Sequence, residues 1–196
     1  MPRHDAVHFD SYPPQTRAKH QILGAYLPAY LNALKNTVDR FHYIDGFAGR
    51  GTYEGRHPGS PLLALDEIGR AGLAARTSVS LVEERQDFRD EFARCIGAHP
   101  VTRALFDPPL IERGTFAEHL PEILGRPVYG RRTRVATFAF VDPCGVDGVE
   151  MTGTLAVFDK GNRSRAPGAP SAFLLPARGS DAQRSGRAGC RRSHNS

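Results

Sequence analysis

The chain has no lysine between Lys35 and Lys160. That gap excludes a large class of nucleotide sites, because a P-loop closes its glycine turn with lysine and a hydroxyl residue. No run of 18 apolar residues exists either, so no membrane-spanning helix is expected. The opening MPRHDAVHFDSYPP has no apolar stretch of the signal-peptide kind. Cysteine is scarce: Cys95, Cys144 and Cys190 lie far apart. They form neither a metal-ligand pattern nor a disulfide framework, which fits a reducing, cytoplasmic setting.

At 196 residues with 40% hydrophobic composition, the chain is sized for one domain with a real core. Its net charge of +5 is unevenly spread. Residues 160–196 hold eight Lys/Arg and one acid, which is +7; residues 1–159 hold the other eighteen and twenty, which is −2. The basic character belongs to the C-terminal stretch.

Residues 17–35 read as an amphipathic helix, with Ile22, Leu23, Tyr26, Leu27, Tyr30, Leu31 and Leu34 on one stripe. Pro28 is expected to kink it. FHYIDGF (41–47) reads as a buried strand. After a Gly-rich loop, Ser60 as N-cap and Pro61 in the first helical position open a second helix. SVSLVEE (78–84) reads as a strand, and 85–97 as a helix with Phe88, Phe92, Cys95 and Ile96 on one face. PLIERG (109–114) reads as a strand and 115–124 as a short helix with Phe116, Leu120, Ile123 and Leu124 inward. ATFAFVD (136–142) is a strongly apolar fourth strand. Strands alternating with helices imply an α/β fold with a parallel sheet, and runs such as FAFV imply burial on both faces.

The first strand runs into HYIDGFAGRG (42–51). A dinucleotide fingerprint needs G-x-G-x-x-G leading straight into a helix; here Gly49, Gly51 and Gly55 are followed by more loop before Ser60. The pattern D-x-F-x-G-x-G, formed by Asp45, Phe47, Gly49 and Gly51, instead resembles motif I of class I S-adenosylmethionine-dependent methyltransferases. That resemblance implies a Rossmann-like sheet. It implies that Asp45 holds the cofactor's ammonium, directly or through water, while Gly49 and Gly51 let the backbone pass beneath it. It also implies an acid at the end of the second strand for the ribose hydroxyls, and Glu83 is chosen over Glu84. Thr115 and Phe116, after the third strand, are candidates to flank adenine. FVDPCG at the end of the fourth strand resembles an Asp-Pro motif IV without its aromatic.

TRAKHQILGAYL, YIDGFAGRGTYEG, GSPLLAL, LVEE and FAFVDPCGVDGVEM together resemble the three-Cys-motif partner protein family of bacteria, over residues 8 to about 151. That family is methyltransferase-like, and the resemblance implies a neighbouring three-Cys-motif protein as partner. In an Asp-Pro site, Asp142 would accept hydrogen bonds from an exocyclic amine of a nucleic-acid base, together with a backbone carbonyl beside Pro143. Pro143-Cys144 also has the local form of a pyrimidine C5 methyltransferase nucleophile. Arg131, Arg132 and Arg134 are candidates for phosphate contact, though a solvated loop is favoured. A non-catalytic interaction subunit for the same partner is the alternative reading.

The expected domain is 1–155, carrying the first four strands of such a sheet. Residues 156–196 are rich in Arg, Ala, Gly, Pro and Ser and are expected to be disordered. They read like a shifted frame beginning near 150–160, with the fourth strand left as an exposed apolar edge. The competing expectation is a basic arm that binds nucleic acid electrostatically.

Overall fold

A computed structural model describes residues 12–130 and 132–141, and the backbone of 171–174. The chain alternates helix and strand: α1 (Pro14–Leu34), β1 (Arg40–Asp45), a hairpin of β2 (Thr52–Tyr53) and β3 (His57–Pro58), α2 (Ser60–Arg70), β4 (Thr77–Glu83), α3 (Gln86–Ala98), β5 (Leu110–Arg113), α4 (Phe116–Gly125), β6 (Val135–Phe140) and β7 (Ser171–Leu174). The main sheet has the order β5-β4-β1-β6-β7, and every pairing in it is parallel.

This order has a switch point. The chain builds leftward from β1 to β4 to β5, then returns across the sheet to place β6 on the other side of β1. Helices α1, α2 and α3 cover one face, where Leu23, Leu27, Leu65, Ile68, Phe92 and Ile96 pack on Phe41, Tyr43, Leu81 and Phe138. Helix α4 covers the other, with Phe116, Leu120 and Ile123 on Ile44, Val82 and Ala139. Burial on both faces leaves β1, β4 and β6 buried at almost every position, including polar residues such as His42, Ser78 and Ser80. The α/β architecture with a parallel, Rossmann-like sheet is therefore as expected.

Three expectations are corrected. The sheet has five strands rather than four: Ser171–Leu174 pairs with β6, with Thr137 opposite Ser171 and Phe140 opposite Leu174. A strand thus lies inside the stretch expected to be disordered, and β6 is interior rather than an exposed edge; the rest of 156–196 is outside the described residues. In α1 the buried stripe is narrower than the apolar pattern, because Leu23, Leu27 and Leu31 face the sheet while Ile22 and Tyr26 are 51% and 54% exposed. Pro28 lies inside this helix, which runs on to Leu34. The cap of α2 is Gly59 rather than Ser60, which is buried inside the first turn.

Polar groups beneath α4 are paired. His42 is buried, its Nδ1 bonded to the Tyr129 hydroxyl at 2.8 Å and its Nε2 to Ser80 Oγ at 2.8 Å. Burial, and secondarily the charge of Arg126, lowers its pKa to about 3, so the neutral ring serves packing. Among the described residues no helix is long and apolar enough to cross a membrane.

Candidate functional site

The carboxyl ends of parallel strands at a switch point are where open α/β sheets form a crevice. Here the switch point lies between β1 and β6, and the glycine turn leaves the end of β1 beside it. Asp45, the last residue of β1, is fully buried. Its Oδ1 accepts the Phe47 N–H at 3.1 Å and its Oδ2 accepts the Tyr43 hydroxyl at 3.2 Å. A carboxylate bonded to the amide two residues on is an Asx turn, so Asp45 sets the direction in which the loop departs. Tyr43 is held protonated by burial and by the adjacent Asp45 charge, which raise its pKa.

The turn is tied to both flanking strands. Gly46 N–H donates to Phe140 O on β6 at 3.1 Å, and Ala48 N–H donates to Val82 O on β4 at 2.9 Å. Gly49 N–H donates to Glu83 Oε2 at 2.8 Å. Gly51 needs to be glycine twice over: its φ is +87°, and a Cβ there would lie 2.9 Å from Phe92 Cβ on α3. Gly59 N–H closes back onto Gly51 O at 2.6 Å, so the β2–β3 hairpin occupies the loop between the turn and α2.

Glu83 ends β4. Its second oxygen accepts the Arg85 N–H at 2.9 Å. Burial raises its pKa; the two amide donors and the Arg85 charge oppose that shift without cancelling it. Glu84, the neighbour passed over, is exposed. Thr115 and Phe116 open α4 at the same end of the sheet. The Thr115 hydroxyl accepts Glu118 N–H at 3.4 Å while Thr115 N–H donates to Glu118 Oε2 at 2.8 Å, a reciprocal cap. Phe116 is buried, and its ring lies 3.1 Å from where a Cβ on Gly46 would stand.

The fold therefore gathers Asp45, Phe47, Gly49, Gly51, Glu83, Thr115 and Phe116 at one end of the sheet. Asp45 faces the turn's own backbone rather than open solvent, and Thr115 is engaged in the cap. Asp142, Pro143 and Cys144 lie outside the described residues; β6 ends at Phe140, with Val141 buried after it. Arg134 lies at the opposite, amino end, bonded to Asp39 by its N–H at 2.9 Å and its guanidinium at 3.2 Å. Arg131 is outside the described residues.

Sequence reasoning missed an aromatic group on the hairpin side of the turn. Tyr12 stacks on His57 with ring centroids 4.8 Å apart and contacts Tyr53 at 5.4 Å, and its hydroxyl bonds His20 Nδ1 at 3.0 Å. Burial, with a smaller contribution from Lys19, lowers the His20 pKa to about 4. The only sequence signal was the presence of aromatic side chains in two short segments far apart in the chain.

No protein-family model matches the chain, and no curated protein matches it. Among solved structures it is similar to a Legionella pneumophila protein of the DUF519 family. The TM-score is 0.53 at 13% identity, covering 86% of this chain and 68% of that one. At that identity the likeness bears on the fold alone.

Proposed function

We propose that the chain binds S-adenosylmethionine across the carboxyl ends of β1 and β4 and transfers its methyl group to an exocyclic amine of a nucleic-acid base, in the manner of the three-Cys-motif partner proteins it resembles. The observation that carries this reading is the 2.8 Å bond from Gly49 N–H to Glu83. It places a half-buried carboxylate against the glycine turn, where a ribose diol can replace an amide as its donor.

The cofactor supplies a methyl group on a sulfonium centre; the protein's part is to bind and position. Gly49 and Gly51 permit close backbone approach. Asp45 holds the turn and contributes negative charge beneath the ammonium. Phe116, packed on Gly46, backs the adenine side. Asp142, following β6 in sequence, accepts hydrogen bonds from the target amine, which must leave its base stack to reach it. Cys144 is the alternative group, as a nucleophile for a pyrimidine ring.

Calorimetric titration of the full chain with S-adenosylmethionine and S-adenosylhomocysteine tests the reading. Saturable binding of both, one per chain, is the expected result. A pure interaction subunit for a three-Cys-motif protein gives no saturable heat, and that outcome removes the enzymatic reading.

A further inference from the structure

At the edge of the sheet, on the α4 face, Glu112 of β5 meets His119 and Glu122 of α4. One ligand atom from each lies within 4.8 Å of the others. We propose that these three side chains form a divalent-metal site of the zinc type that ties α4 to the edge strand.

The argument rests on the histidine. His119 Nε2 lies 2.9 Å from the Arg113 carbonyl. A carbonyl only accepts, so Nε2 carries the hydrogen, and in that tautomer of the neutral ring the lone pair is on Nδ1, which faces Glu122. That nitrogen is 3.8 Å from Glu122 Oε2. Three acceptors, one imidazole nitrogen and two carboxylates, thus converge, and the Glu112 side chain has no hydrogen-bond or ion-pair partner among the described residues. Acceptors without a donor between them suit a cation. Bonds of about 2.0–2.2 Å would bring the ligands to about 3–3.5 Å apart, a closure that two glutamate rotamers provide.

The orientation of the ring is set from outside the triad, as metal-bound histidines commonly are by a carbonyl on their second nitrogen. Gly114 makes this possible. Its φ is +140°, and a Cβ there would lie 2.9 Å from His119 Nε2, so a larger residue would push the ring off the Arg113 carbonyl. One nitrogen and two oxygens favour Zn²⁺ or a neighbouring first-row ion over Ca²⁺. Glu122 is on the open side, with 57% of its side chain exposed, so solvent completes the coordination. The site makes no use of the cofactor reading.

The test is calorimetric titration of Zn²⁺ into the full chain and into H119Q and E112Q, with circular dichroism to check that both variants fold. Thermal melts with and without Zn²⁺ accompany it. The expected result is one saturable site that weakens at least about tenfold in each variant, with a zinc-dependent rise in Tm that both variants lose. Equal zinc affinity in all three proteins, meaning adventitious binding elsewhere, overturns the proposal. So does the absence of saturable binding in the unmodified chain.

Discussion

In the proposed binding role, Glu83 is asked to do two things that oppose each other. It must stay charged to accept hydroxyl donors, yet it sits where burial disfavours charge. A carboxyl whose folded pKa is raised binds its proton more tightly when folded, so its effect on stability is most favourable at low pH and is lost as pH rises through the folded pKa. The stability of the native chain minus that of Glu83→Gln is therefore expected to decline as pH climbs above the ordinary value of 4.5. Urea melts of both proteins across that range measure it, and a flat difference would contradict the burial argument. At neutral pH the same variant should bind S-adenosylmethionine about tenfold or more weakly, since hydrogen bonds to a charged group are worth about 1.5–3 kcal/mol. Glu83 was legible in sequence because it ends an apolar strand. The bond from Tyr43 to Asp45 was not, because alternation puts the two on one strand face without saying that the hydroxyl reaches the carboxylate.

Among the elements, the helices and long strands could be read to within a few residues, because the helices repeat a burial period in their apolar residues and the long strands are continuous buried runs. The β2–β3 hairpin could not: strands of two residues show no period, and their residues are polar or aromatic. The glycines around that hairpin now separate into kinds. Gly51 combines positive φ with a backbone pressed on α3, whereas Gly55 has positive φ of 64° and open space around it. Gly55→Ala should cost about 1–2 kcal/mol, the penalty of the left-handed conformation alone. Gly51→Ala adds overpacking against Phe92, for about 2–5 kcal/mol in total. Denaturant midpoints of the two variants decide the matter; equal losses would mean that Phe92 moves aside without cost.

For the whole molecule, strand order was the part least accessible from sequence, because periodicity names strands without saying which are neighbours. The order that emerges, β5-β4-β1-β6-β7, puts the most apolar strand, β6, in the interior between β1 and β7. Composition hid β7 completely. SAFL is four residues within an Arg-, Gly- and Pro-rich stretch, too short to outweigh its surroundings in any windowed reading. Its consequence is physical: all six residues of β6 are buried, and β7 pairs along four of them. A chain ending at residue 167 would leave that row of N–H and C=O groups unpaired along a largely apolar strand, a template for association. Such a chain is expected to melt several degrees lower and to form concentration-dependent oligomers, while the full chain does not. Light scattering over a dilution series reads the association, and thermal melts at the lowest concentration read the stability. A shortened chain that stays monomeric with an unchanged Tm would mean that β6, not β7, is the working edge of the sheet.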